Sequence, residues 1–156
     1  MHGFIVPMAL LADKQAKPLR ENILRKYSFQ KIEAFPQKDD PTNRIFFEAK
    51  LSTCIYILKK DKPSLFSVRI HPGKDILETS TSLLITPQQI EEFDKENLSI
   101  PSYPDMTGED FKLALKLNRI SNGITLGHFA PSQQGEVNLT GHSDFFTDGK
   151  NGQVVL

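Results

Sequence analysis

The sequence predicts an α+β fold, in which a mixed sheet of three to four strands carries flanking helices. Three features predict it: short apolar or alternating segments bounded by turn residues, a helical pattern between two of them, and a capping box ahead of further helical spacing. We expect the sheet within residues 1–72, a helical linker at 73–122, and an irregular β-rich segment at 123–156.

The first part of the predicted sheet is a parallel crossover unit. Residues 4–6 are a wholly apolar strand, as expected for a sheet covered on both faces. Residues 10–27 have apolar side chains at steps of three and four, which predicts a helix that Asp13 caps; Pro18 either lies in its first turns or restarts it. A second strand at 31–35 completes the unit, because strand, helix and strand in this order place the two strands parallel.

Two further strands and two further helices follow. Residues 52–59 are apolar on both faces, which indicates an interior strand, and residues 65–71 alternate as an edge strand does. Thr86-Pro87-Gln88-Gln89 is a capping box with proline at the first helical position, and it predicts a helix to about Lys95. Helical spacing returns at residues 109–119.

Composition restricts the function. The 156 residues include 19 basic and 19 acidic side chains, so the formal net charge is zero. A protein that binds DNA by itself usually carries a basic surplus, because phosphate neutralisation supplies most non-specific affinity. We therefore expect any nucleic-acid contact to be a share of a larger surface. The apolar ends, residues 3–7 and 153–156, favour an excerpt of a longer protein.

The sequence gives no sign of a membrane span or a metal site. No apolar stretch approaches the roughly 18 residues that a span needs. The single cysteine, Cys54, excludes a disulfide framework and favours a cytoplasmic location. One cysteine and four scattered histidines lack the paired spacing of zinc ligands, so no metal ligand is expected.

One weak constellation suggests a small Mg²⁺-dependent nuclease. Asp40, Glu48 and Lys50 resemble the Asp…Glu-x-Lys pattern in which two carboxylates hold the metal and a lysine positions water. Two other acid-x-Lys triplets occur, at residues 110–112 and 148–150, which favours a chance occurrence of the pattern. A solvated charge cluster at the entrance of a strand remains the other interpretation.

A longer resemblance is carried by GFIVPMALLADKQAKPLRENILRKY, KIEAFPQKDDP and RIFFEAKLSTCIYILKK. These stretches resemble the segment that follows the catalytic tetrapeptide in N6-adenine DNA methyltransferases of the gamma class, including those fused to nucleases in type IIG restriction–modification proteins. The stretch GEVNLTGHSDFFTDGKNGQVVL looks like the opening of their target-recognition domain. The resemblance implies a fragment of an α/β Rossmann-like methyltransferase, with the third strand inserted antiparallel to complete the sheet.

The resemblance also implies a site. In the family, the phenylalanine that matches Phe35 stacks on a flipped adenine, so Phe35, Pro36 and Gln37 are expected to form one wall of the target-base pocket. Lys38, Asn43 and Arg44 are the candidate DNA contacts. The residues themselves favour Phe35 as a plug at the end of the sheet, and the three polar side chains as ordinary solvated loop residues.

The departures from the family limit what this chain does by itself. The Gly-rich cofactor turn and the Asn/Asp-Pro-Pro-aromatic tetrapeptide of the family are missing from this sequence, so we assign no catalytic residue. We expect S-adenosylmethionine to bind only the full-length parent protein. Double-stranded DNA is the expected partner of that parent. An exposed sheet edge also leads us to expect homo-oligomers. The alternatives are the nuclease and a non-catalytic oligomerising or interaction domain.

Overall fold

A computed structural model describes residues 1–48, 50–77, 81–121, 124 and 126–130. The chain divides into two compact units, residues 1–122 and 123–156. In the second unit, the described residues include a single 3₁₀ turn, Leu126–His128. The rest of the predicted target-recognition segment lies outside the described residues.

The first unit is built on a mixed sheet with five strands in the described part of the chain. They are β1 (His2–Pro7), β2 (Ser28–Phe35), β3 (Thr53–Lys59), β4 (Phe66–Ile70) and β5 (Thr81–Ile85). Their order is β1-β3-β2-β4-β5. β3 lies antiparallel between β1 and β2, β4 pairs parallel with β2, and β5 pairs antiparallel with β4. The predicted α+β class and mixed sheet are confirmed.

The sheet differs from the prediction on its β4 side. The predicted edge strand, β4, lies inside the sheet between β2 and β5. The sequence analysis did not predict β5, which lies beyond residue 72 and adds a fifth strand. β5 places Leu83 and Ile85 in the core, but Leu84 between them is apolar and exposed. The alternation of apolar and polar residues that would indicate a half-buried strand is therefore missing.

The segment predicted as one helix at residues 10–27 is broken. It forms α1 (Ala9–Ala12), a 3₁₀ turn (Lys14–Ala16) and α2 (Lys17–Lys26). The break occurs because Asp13 adopts an extended conformation and its carboxylate accepts a hydrogen bond from the backbone N–H of Gln15 at 2.8 Å. Pro18 then lies in the first turn of α2, where its missing N–H is tolerated.

The two later helices match the sequence patterns. α3 (Pro87–Phe93) begins at the predicted capping box, in which the N–H of Gln89 donates to the Thr86 hydroxyl and the N–H of Thr86 donates to the Gln89 side chain. α4 (Gly108–Ser121) covers the second predicted helix. No helix in the described residues is long and apolar enough to cross a membrane.

The hydrophobic core lies against one face of the sheet. The face is formed by alternate residues of the strands, and the described helices contribute apolar side chains to the same cluster. On the sheet these include Ile32, Ala34, Cys54, Val68, Ile70 and Leu83, and on the helices Leu11, Ile23, Leu24, Ile90, Phe111 and Leu115. Because side chains alternate along a strand, the remaining strand residues point to the opposite face, where the candidate site lies.

Arg20 on α2 hydrogen-bonds to the backbone of two other segments. Its side chain is fully buried. Nη1 donates hydrogen bonds to the carbonyl oxygens of Leu10 and Asp13 at 2.8 and 2.7 Å, and Nη2 donates to the carbonyl of Asn97 at 2.7 Å. The guanidinium therefore fastens α2 to the end of α1 and to the turn after α3.

We expect Arg20→Met to lower the free energy of unfolding by about 3–5 kcal/mol. The substitution removes the charged donor from three carbonyl groups, and two of these hydrogen bonds are part-buried. Denaturant titration measures the change. Arg25→Met is the matched control on the same helix, since its side chain is exposed and paired with Glu21. Equal midpoints for Arg20→Met and Arg25→Met would contradict the role of Arg20.

Candidate functional site

A polar cluster lies on the face of the sheet opposite the core, where β2 and β4 run side by side. The register places Glu33 beside Arg69, and the backbone N–H of His71 continues the pairing by donating to the carbonyl of Ala34 at 2.9 Å. Glu33, Phe35 and His71 therefore share one face near the carboxyl ends of two parallel strands. Open α/β sheets bind ligands at such strand ends.

The centre of this cluster is the buried carboxylate of Glu33, whose side chain is 1% exposed. One oxygen accepts from Nζ of Lys31 at 3.0 Å and lies 3.4 Å from Nη1 of Arg69. The other oxygen lies 2.8 Å from Nε2 of His71, a side chain with no exposed surface. Both oxygens thus have partners, as a buried charge requires.

The partners determine the protonation of the pair. Burial by itself would raise the pKa of Glu33, but hydrogen bonds from His71 and Lys31 and the charge of Arg69 outweigh it and lower that pKa below its usual value. Glu33 is therefore ionised at neutral pH and only accepts hydrogen bonds. It follows that Nε2 of His71 carries a hydrogen and donates it to the carboxylate.

Phe35 is the last residue of β2, where the sequence analysis placed it. Its side chain is 3% exposed, and its ring stacks on the imidazole of His71 with centroids 4.5 Å apart and planes 14° apart. Thr53 on β3 is its neighbour in the ladder. In this structure the ring is thus covered, and its flat partner is a histidine. The role of Phe35 in binding a base remains a prediction.

Residues 36–52 connect β2 to β3 and return to the end of β4. The Ser52 hydroxyl donates to the carbonyl of Pro36 at 2.8 Å, which closes the base of this connection. At its far side, Oδ1 of Asn43 would lie 2.9 Å from a Cβ placed on Gly73, so the connection approaches the backbone just after His71. The connection and the Phe35–His71 pair therefore occupy the same end of the sheet.

The candidate DNA contacts are spread along this connection. Lys38 and Asn43 are exposed, and Asn43 donates through Nδ2 to Asp40. Arg44 is half-buried, with its guanidinium 5.5 Å from the centre of the Phe47 ring. Pro36 and Gln37, the other predicted base contacts, are half-buried beside Phe35.

The nuclease constellation receives no support from the geometry. The Asp40 carboxylate accepts hydrogen bonds from the backbone N–H of Thr42 and from Asn43, and these bonds lower its pKa. Asp40 thus has a structural role in a turn. Glu48 and Lys50 are exposed, and the described residues contain no group of three or more His, Cys, Asp or Glu side chains that could hold a metal ion.

Two concave sites lie away from this cluster. One, of about 510 Å³, runs between α2 and α3 and is lined mainly by charged side chains of both signs. The other, of about 480 Å³, lies between α2 and the β1–β3 pair and includes the stacked rings of Phe4 and Tyr56. Neither includes Phe35 or His71, and neither brings a set of reactive side chains together.

The sequence analysis missed Glu33 and His71 as site residues. A signal for Glu33 exists: it is an acidic residue within a strand whose neighbours Ile32 and Ala34 are apolar, and a buried charge needs partners. His71 gives no comparable signal, because a histidine at the end of a strand is common. Only the pairing of β2 with β4 brings the two together.

Comparisons with known proteins give little. No protein-family model matches the chain, and no curated protein matches it. Among solved structures, it is similar to a chain from work on the structural basis of complex assembly and conformational transition of the type I R-M system, at 17% identity and a TM-score of 0.37. The match covers 75% of this chain and 19% of that chain, so this chain spans about a fifth of that protein.

We expect the contribution of Glu33 to stability to depend on pH. Because its pKa is lowered in the folded state, its stabilisation is complete above the unfolded value of about 4.3 and is lost as the pH falls through the folded pKa. Glu33→Gln should therefore lower the free energy of unfolding by about 1–3 kcal/mol at pH 6. Urea titrations from pH 3 to 6 should show the difference shrinking toward acid; a constant difference would contradict this.

Proposed function

We propose that this chain is part of a site-specific DNA adenine-N6 methyltransferase of a restriction–modification system, similar to the gamma-class enzymes. The observation that carries the proposal is the position of β3, antiparallel between the parallel strands β1 and β2. A strand inserted in this way is what the sequence resemblance implies for the end of a methyltransferase sheet. The similarity of the segment from residue 3 to residue 60 supports the same class.

The location of Phe35 supports a role in holding the target base. A methyltransferase cannot reach an adenine amino group inside a duplex, so it extrudes the base and stabilises it outside the stack. Under the proposal, Phe35, Pro36 and Gln37 form one wall of that pocket at the carboxyl end of β2. Since the side chain of Phe35 is 3% exposed here, its surroundings must rearrange before a base contacts its ring.

Contacts to the DNA backbone would come from the same connection. Lys38 and Asn43 are exposed, and Arg44 lies near them in sequence. Lys38 and Arg44 are the two charged side chains among these, so they neutralise few phosphates, and the chain has no basic surplus. The proposal therefore assigns most of the DNA affinity to other parts of the full-length enzyme.

The residues present do not fit a complete S-adenosylmethionine site. At the end of β1 the chain passes from Pro7 through Met8 directly into α1, without a glycine turn. The resemblance places the Gly-rich turn and the catalytic tetrapeptide ahead of the matching segment. We therefore propose that cofactor and reactive groups are held elsewhere in the parent, and that this chain by itself neither binds the cofactor measurably nor methylates DNA.

We expect Phe35→Leu in the full-length enzyme to lower kcat for methyl transfer by about tenfold or more, because a base loses an aromatic face worth about 1–3 kcal/mol. Phe111→Leu is the matched control, since Phe111 is equally buried, at 3%, but lies on α4. Steady-state methylation and thermal unfolding are measured for both. If the two variants lose the same activity, Phe35 acts through folding only.

A second prediction concerns self-association of the isolated chain. β1 is an edge strand within the described sheet, and Ile5 on it is 61% exposed. Unprotected apolar edges tend to pair with other chains, and a charge on the edge opposes this. We expect Ile5→Lys to reduce the oligomer fraction in analytical ultracentrifugation, whereas Leu113→Lys, the same change on α4, should not. An unmutated isolated chain that stays monomeric at all concentrations would refute the prediction.

A further inference from the structure

The Phe35–His71 pair differs in chemistry from the other ring pairs in the described residues. Those pairs join phenylalanine and tyrosine rings, for example Phe29 with Phe66 at 5.1 Å on the core face of the same two strands. A phenylalanine or leucine would fill the position of His71 at a lower desolvation cost, since a buried imidazole must have its N–H paired. A second buried polar group, Glu33, supplies that pairing. Packing alone therefore does not account for the choice of histidine.

The hydrogen bond between His71 and Glu33 fixes the plane of the imidazole, which packing alone does not. His71 is held at its backbone N–H by Ala34 and at Nε2 by Glu33, so its ring has little freedom to turn. The terminal torsion of a phenylalanine ring, in contrast, has a broad range. The planes of the Phe35 ring and the imidazole are 14° apart, so the two rings have nearly the same orientation.

We propose that His71 is a positioning residue for the ring of Phe35, and that Glu33 holds His71 in the orientation this requires. The inference rests on the proposed function, because it concerns the ring that would stack on an extruded adenine. Glu33 belongs to β2 and His71 directly follows β4, so neither is part of the connection at residues 36–52.

The expected consequence is a base that meets a ring already in a stacking orientation. Without the imidazole, the ring must be ordered during each turnover, and this ordering costs about three- to tenfold in rate. The effect should fall on kcat and leave KM for DNA unchanged, because most DNA contacts are made elsewhere. A residue that only stabilises the fold would not produce this split.

The test compares three variants in the full-length enzyme: His71→Ala, His71→Phe and Phe66→Leu. His71→Ala removes the flat neighbour and should lower kcat by about tenfold. His71→Phe keeps an aromatic face but lacks the hydrogen bond to Glu33 that fixes its plane, so it should recover only a small part of that loss. Phe66→Leu removes an aromatic contact between the same two strands on the opposite face, so it should lower the melting temperature without lowering kcat.

Two results would overturn the inference while leaving the proposed function intact: a parental kcat in His71→Ala, or an equal loss of kcat in His71→Ala and Phe66→Leu. If His71→Ala does not fold, Glu33→Gln is tested in its place. We expect Glu33→Gln to lower kcat about threefold. A kcat equal to that of the unmutated enzyme would overturn the inference. A full-length protein that transfers no methyl group to DNA would overturn the proposed function first, and this inference with it.

Discussion

The burial of one carboxylate, Glu33, constrains the whole side of the sheet where the candidate site lies. A buried charge is tolerated only when it is paired and hydrogen-bonded, and here the partners come from Lys31 on β2, Arg69 on β4 and His71 just beyond it. A slip of one residue would turn Glu33 into the apolar core, where no such partners lie. The carboxylate thereby fixes the register of β2 against β4. Phe35 and His71 follow from that register.

Most of the local structure could be predicted because it is encoded locally. The capping box at Thr86 and Gln89 is complete within four residues, and the doubly apolar pattern of β3 identified an interior strand. The errors came from long-range pairing. β4 has the alternation of an edge strand and becomes interior only because β5 pairs with it. The break at Asp13, in contrast, has a local cause, because the Asp13 carboxylate accepts from the backbone N–H of Gln15 two residues on.

The sequence predicts where Phe35 lies on its strand, but not which residues surround its ring. The motif at Phe35 was correctly placed at the end of a strand, since strand length and a following proline indicate where a strand stops. Its ring stacks on His71, which is 36 residues away, and its neighbour in the ladder is Thr53 on β3. No pattern near Phe35 encodes either contact. The structure shows the ring buried at the end of the sheet, and under the proposed function the same ring would serve as a platform for a base in a second state.

The energies of these two states are similar, which bears on how a covered ring could serve a base. Burying a phenylalanine side chain contributes about 1.5–3 kcal/mol, and stacking a base on an aromatic ring contributes about 1–3 kcal/mol. A base that replaces the cover of Phe35 therefore regains most of what uncovering the ring costs, but gains little beyond it. Extruding the base from the duplex costs a few kcal/mol more. That free energy has to come from contacts with the DNA backbone, and a chain with zero net charge cannot supply it by itself. Under the proposed function, base capture at Phe35 would therefore depend on DNA contacts made by other parts of a larger enzyme.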